Sequence, residues 1–276
     1  MSSVPMRTLN NGVQIPQLGF GVWQIPNDQV VDAVTTALEV GYRSIDTAAA
    51  YGNEEGTGKA IAASGIPREE VFVTTKLWNS EQGYDSTLKA FDESLRRLKL
   101  DYIDLYLIHW PCPRKDKYVE TWRAFEKLYS DGVVRAIGVS NFHPHHLRRL
   151  FQETTTVPAL NQIELHPYLV QAELREFNAQ NGIATEAWSP LARGGDLLKD
   201  PVITRIAEKY GKTPAQVVIR WHLALGNIVI PKSVTPSRIK ENFDVFDFEL
   251  TVEEVDEISG LDKGMRTGGN PDEFEG

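Results

Sequence analysis

From residue 30 onward, stretches whose apolar residues recur at three- and four-residue intervals alternate with short, nearly continuous apolar runs. The first spacing gathers apolar side chains on one helical face, while an unbroken run is what a strand needs when helices cover both faces of a parallel sheet. Strands are predicted at 43–47, 71–77, 102–109, 135–140, 159–164, 183–188, 227–231 and 243–247. Helices are predicted near 29–40, 53–63, 84–99, 118–130, 143–152, 171–181, 201–210, 214–225, 236–242 and 251–259. Thr213-Pro214 and Thr235-Pro236 place Pro at a first helical position behind a hydroxyl cap. Eight strands alternating with helices predict an α/β chain, a (β/α)8 TIM barrel, and the surplus helices are expected on its rim. Upstream, Asn10-Asn11-Gly12 between apolar positions predicts a tight N-terminal β-hairpin that caps the barrel's bottom.

The 276 residues suit one barrel, which commonly takes about 250, and no repeat or Pro/Gly-rich linker divides them, so 1–276 is expected to be one domain. No apolar run approaches the roughly 20 residues of a membrane helix, the segment Met1 to Arg7 has no secretory apolar stretch, and the sole cysteine, Cys112, excludes an intrachain disulfide. A cytoplasmic protein is expected. The net charge of −9 disfavours nucleic acid as a main partner and leaves room for a local cationic pocket that binds a small anion. The tail 262–276, polar and glycine-rich, is expected either to fray or to fold over the barrel mouth.

A single polar residue stands at the exit of three successive strands: Asp46, Lys76 and His109, with Tyr51 just past the first. A parallel barrel carries chemistry at the carboxyl ends of its strands, so these four groups are expected at one mouth. A phenol titrates near pH 10 and is a poor acid at neutrality; an adjacent ammonium is expected to pull that value down, with Asp46 holding Lys76 charged. A neutral His109 could donate to a carbonyl oxygen or relay the proton. No activated serine, Cys-His pair or His-Glu-x-x-His helix supplies a nucleophile, so a cofactor must bring it. Gly19 to Gln24 lacks the third glycine of a dinucleotide fingerprint, and Gly58-Lys59-Ala60 lacks the residues of a phosphate loop. The phosphate site is expected at Ile230 to Arg238, leaving the seventh predicted strand, with Lys232 and Arg238 as its cations. Trp188 could stack on a nicotinamide ring while Ser140, Asn141 and Gln162 read its carboxamide, and Trp23, Trp78 and Trp110 could wall a substrate. His143, His145, His146 and His166 are not expected to bind metal, since no Cys or carboxylate has matching spacing.

Gly41-Tyr42-Arg43-Ser44-Ile45-Asp46-Thr47-Ala48 with Tyr51 and Glu54, Arg135-Ala136-Ile137-Gly138-Val139-Ser140-Asn141-Phe142, and Ile230-Pro231-Lys232-Ser233 through Arg238 and Glu241-Asn242 resemble the three signatures of the aldo-keto reductases. Within that family, Asn161 to Pro167, Arg220-Trp221-His222-Leu223, Asp244 to Phe248 and the ending Pro271-Asp272-Glu273 resemble the prokaryotic 2,5-diketo-D-gluconate reductases; Thr57 departs from the family signature, and Thr235 and Trp23 depart from the diketogluconate enzymes. The resemblance implies NADPH-dependent reduction of aldehydes and ketones, such as methylglyoxal or 2,5-diketo-D-gluconate, by a monomer without a Rossmann fold. It implies Tyr51 as general acid, Lys76 and Asp46 as its tuners and His109 as orienter. It implies that Gly21, Val22, Trp23, Ser140, Asn141, Gln162, Trp188, Ser189 and Leu191 touch the cofactor, with Lys232, Ser233, Val234, Arg238, Glu241 and Asn242 at its adenosine phosphate end, and that Trp23, Ala50, Trp78 and Trp110 line the substrate pocket. A non-catalytic NADPH-binding redox-sensing subunit is the alternative, though it would have no need of the four proton-transfer groups together.

Overall fold

In the computed structural model, which describes residues 4–276, the predicted hairpin opens the fold: β1 (Met6–Thr8) pairs antiparallel with β2 (Gln14–Pro16), Thr8 opposite Gln14. Gly12 closes the turn at φ +88°, a conformation that a residue without Cβ adopts at little cost. Leu9 and Ile15 are buried with Phe72, Leu160, Ala184 and Ile228, each at the start of its strand, so the hairpin plugs the barrel's bottom.

The barrel strands are β3 (Phe20–Gly21), β4 (Ser44–Asp46), β5 (Phe72–Leu77), β6 (Ile103–Ile108), β7 (Val134–Ser140), β8 (Leu160–Glu164), β9 (Ala184–Trp188) and β10 (Ile228–Val229), each parallel to the next in chain order. Backbone bonds from Gly19 N to the Val229 carbonyl (2.9 Å), Val229 N to the Gln17 carbonyl (2.9 Å) and Gly21 N to the Pro231 carbonyl (3.2 Å) close the ring. The helices α1 (Asn27–Val40), α2 (Glu54–Ala63), α3 (Tyr84–Leu98), α4 (Tyr118–Ser130), α5 (Pro144–Glu153), α6 (Ala172–Gln180), α7 (Pro201–Tyr210), α8 (Pro214–Ala224), α9 (Pro236–Phe243) and α10 (Val252–Ser259) occupy the predicted positions. The rim pair is α7 and α10: Ile203, Ile206 and Ala207 of one and Ile258 of the other share a buried cluster with Val217 and Trp221 of α8. None of these helices is long and apolar enough to cross a membrane.

One strand was misplaced. The segment 243–247 is the end of α9 and an irregular stretch after it, and the eighth barrel strand is instead the first, β3. The apolar residues at 243–247 serve another purpose: Phe243 lies 4.9 Å from the Tyr42 ring and Val245 is buried, clamping α9 onto the barrel's outer layer. Every later strand therefore stands one place further round the ring, and the segment with Lys232 leaves the eighth strand rather than the seventh. The cap at Thr235 also differs. Thr213 accepts from Gln216 N in a capping box, whereas the Thr235 side chain accepts nothing from α9, so that helix starts without a side-chain cap.

Candidate active site

The barrel places Asp46 as the last residue of β4, Lys76 one residue before the end of β5 and His109 one residue past β6. Tyr51 ends a single 3₁₀ turn, Ala49–Tyr51, that folds back over the mouth; Gly52 behind it has φ +66°. Lys76 Nζ donates to Asp46 Oδ1 at 2.6 Å, to the Thr47 carbonyl at 2.9 Å and to Tyr51 Oη at 3.2 Å. All three ammonium hydrogens are thereby used. The Tyr51 and His109 rings meet edge to face at 5.8 Å, and Trp78 meets His109 in the same way at 5.2 Å. Sequence reasoning brought these four together and the fold does so.

Burial works against the Lys76 ammonium, but Asp46 and the phenol outweigh it and its pKa is raised. Burial pushes the Tyr51 phenol up, and the opposing pull of Lys76 does not overcome it. The expected lowering of Tyr51 is thus corrected: desolvation wins, and the phenol holds its proton at neutral pH. Burial, reinforced by the Lys76 charge, keeps His109 well below the usual imidazole range, so its ring is neutral; its buried Nδ1 has no partner among the described residues.

A cavity of about 960 Å³ opens on this wall, within the usual size range of small-molecule sites. It is lined by Asp46, Ala50, Tyr51, Trp78, His109 and Trp110, by Gly21 and Trp23, by Ser140, Asn141, Gln162, Trp188, Ser189 and Leu191, and by Lys232, Ser233, Val234, Arg238, Glu241 and Asn242. Val22 is apart from these: it is wholly buried in the core and does not line the cavity. Ser140 Oγ donates to the Gln162 carbonyl at 2.8 Å. Asn141, left-handed at φ +63°, donates to the His109 carbonyl at 3.0 Å and accepts from Trp188 Nε1 at 2.8 Å. Asparagine tolerates that backbone better than most residues. At the cavity's far end Lys232 and Arg238 have no acidic partner among the described residues, beside the uncapped start of α9. Two unpaired cations beside a helix start whose Ser237 N–H has no backbone acceptor fit an anionic phosphate.

Sequence reasoning missed several walls. Arg193 lies over the Trp23 ring at 5.0 Å, and the tail contributes Gly268, Gly269 and Phe274. Phe274 packs on Trp110 at 4.2 Å, and an added Cβ on Gly268 would come within 2.4 Å of Trp188, a closeness only glycine allows. Of the two expectations for the tail, folding over the mouth is the one observed. It is pinned there by buried Glu164, which accepts from Thr267 N at 2.7 Å and Gly268 N at 2.9 Å. A second pin involves the histidines. Asp272 Oδ1, remote in sequence, stands 2.9 Å from His143 Nδ1 and 3.0 Å from His145 Nε2, so a carboxylate does join that cluster. His146 Nδ1 accepts from His143 N, which leaves the ring hydrogen on Nε2; that buried atom stands 3.5 Å from Asp272 Oδ1 and has no hydrogen-bond partner among the described residues.

A parallel barrel with a carboxylate, phenol and neutral imidazole on one cavity wall and an ammonium buried behind them has the arrangement of an oxidoreductase that acts on carbonyl groups. Residues 17–263 match the model of the Aldo/keto reductase family, and the chain belongs to that family. It is 62% identical over 270 residues to an aldo-keto reductase of Mycolicibacterium smegmatis (98% of each chain) and 55% identical over 277 residues to methylglyoxal reductase DkgA of Escherichia coli K12 (100% of each). Among solved structures, an aldo/keto reductase from Brucella melitensis is similar with a TM-score of 0.91 at 62% identity, covering 94% of this chain and 100% of that one. A mutant of Gox0644 crystallised with NADPH has a TM-score of 0.95 at 49% identity, with 99% of each chain covered.

Proposed function

We propose that this protein reduces aldehydes and ketones to alcohols with NADPH, with Tyr51 as the proton donor. The observation that carries the reading is the Lys76 ammonium bonded at once to Asp46 and to the Tyr51 hydroxyl on the cavity wall. NADPH, when bound, supplies the hydride. As the carbonyl oxygen gains charge, Tyr51 Oη transfers its proton to it, and Lys76 stabilises the phenolate left behind. His109, being neutral, directs the oxygen without competing as an acid. Ser140, Asn141 and Gln162 hold the carboxamide, Trp188 faces the ring, Ser189 and Leu191 follow the pyrophosphate, and Lys232, Ser233, Arg238 and Asn242 take the adenosine phosphate end.

The substrate class is small carbonyls and dicarbonyls, supported by the likeness to methylglyoxal reductase DkgA and by the narrowing of the mouth with Trp23, Trp78, Trp110 and Phe274. Loss of NADPH absorbance with purified protein against methylglyoxal, glyoxal, an aromatic aldehyde and 2,5-diketo-D-gluconate tests the reading. Carbonyl-dependent oxidation is expected, fastest with a dicarbonyl; tight NADPH binding without oxidation by any carbonyl would overturn it in favour of a sensing subunit. Lys232→Ala should raise the NADPH dissociation constant about 10- to 100-fold, the usual worth of a hydrogen bond to a charged group, and the NADH constant by less than about threefold. Equal effects on both cofactors, measured by fluorescence titration, would remove Lys232 from the phosphate.

A further inference from the structure

The barrel interior holds a carboxyl that the proton-transfer groups do not account for. Other buried acids have strong partners: Asp104 pairs with Arg68 and Arg135, Glu54 with Arg97, and Glu164 takes His166 and two backbone N–H groups. Glu186, in the middle of β9 and equally buried, has neither cation nor backbone donor among the described residues. Its partner is Gln162, its neighbour in register on β8. Gln162 Nε2 donates to Glu186 Oε1 at 2.5 Å and to Asp46 Oδ2 at 2.8 Å. Salt-bridged Asp46 can only accept, so the Gln162 atom that faces it is nitrogen, and both amide hydrogens are spent on carboxyls. The Gln162 amide oxygen is then the end left for the cavity that Gln162 lines. Glu186, Gln162, Asp46, Lys76 and Tyr51 form one continuous line of hydrogen bonds.

We propose that Glu186 is a positioning residue for the reaction: it fixes the Gln162 amide with its oxygen toward the cofactor carboxamide and, as the neutral acid, leaves Asp46 the sole anion beside Lys76. This rests on the reductase reading above. The titratable groups facing Glu186 are Asp46 from β4, Lys76 from β5 and Tyr51 from the turn behind β4, with Gln162 as the neutral neighbour. Burial, then repulsion from Asp46, push its carboxyl up to about 8, more than Gln162 and Lys76 draw it down. Below that value the cluster holds one carboxylate per ammonium. Above it a second anion appears, raises the Tyr51 phenol further and makes it a weaker acid, so proton transfer to the carbonyl slows.

The test measures kcat and the NADPH dissociation constant against pH for the wild type, Glu186→Gln and Glu186→Ala. Wild-type kcat should fall several-fold between about one unit below and one unit above the Glu186 midpoint. Glu186→Gln cannot ionise but still offers an oxygen to Gln162, so its kcat should be flat over that interval. Glu186→Ala should also lose the alkaline fall, and should weaken NADPH about tenfold at every pH because the Gln162 amide keeps only its bond to Asp46 and is no longer fixed from both sides. The same alkaline fall in Glu186→Gln, or an unchanged NADPH constant in Glu186→Ala, would overturn the assignment. A wild type that reduces no carbonyl at any pH would instead sink the reductase reading. Infrared titration then decides separately: a protonated-carboxyl C=O band lost near pH 8 in the wild type must be missing from Glu186→Gln, and its persistence there overturns the proposal.

Discussion

Tyr51→Phe should lower kcat by about 10²- to 10⁴-fold, the usual contribution of a positioned general acid, while NADPH affinity stays within about twofold. No neighbouring group can give the proton in its place. His109 is held neutral by burial and by the Lys76 charge, so it is not a ready acid at pH 7. Lys76 is held charged by Asp46 and spends its hydrogens on Asp46, Thr47 and Tyr51. Of these three groups, only the phenol is both protonated at neutrality and on the cavity wall. The substitution keeps the ring packed against His109, and Lys76 retains its two shorter bonds, so the fold should lose no more than about 1 kcal/mol. Single-turnover absorbance of bound NADPH is the measurement, since it separates chemistry from product release. A near wild-type rate would take the acid role from Tyr51.

The legible part of this molecule is the part in which local pattern and tertiary role coincide. Long apolar runs such as Ile103–Ile108 announce a doubly covered strand, and a lone polar residue at the exit of each announces a site. β3 escaped because two residues between Gly19 and Val22 carry no period, and their strand character comes from pairing with β4 on one side and from backbone bonds to 229–231 on the other. The stretch 243–247 misled for the converse reason: its apolar residues serve helix packing. Glu186 was available in principle, as a charge inside the apolar run Ala184–Trp188, the same signal that singled out Asp46. It differs in standing mid-strand, where only the register with Gln162 reveals a partner. Asp272 gave no local signal, because its meeting with three histidines depends on where the tail lands.

Lys76→Met should cost the fold about 3–5 kcal/mol, the range for stripping one partner from a buried ion pair. The lysine side chain is fully buried and that of Asp46 is 4% exposed, so water cannot take over the role of the ammonium. What remains for Asp46 is one amide hydrogen from Gln162, and the Thr47 carbonyl loses its donor as well. Methionine fills nearly the same volume, so the loss reports charge and not a cavity. The double variant Asp46→Asn/Lys76→Met should recover at least half of the deficit, because a neutral amide leaves no uncompensated charge in the barrel. Denaturant unfolding of the wild type, both single variants and the double gives the coupling directly. A single Lys76→Met variant within about 1 kcal/mol of the wild type would mean that the barrel mouth admits enough water to solvate Asp46. The dry, charge-balanced wall on which the proposed acid role of Tyr51 depends would then be lost with it.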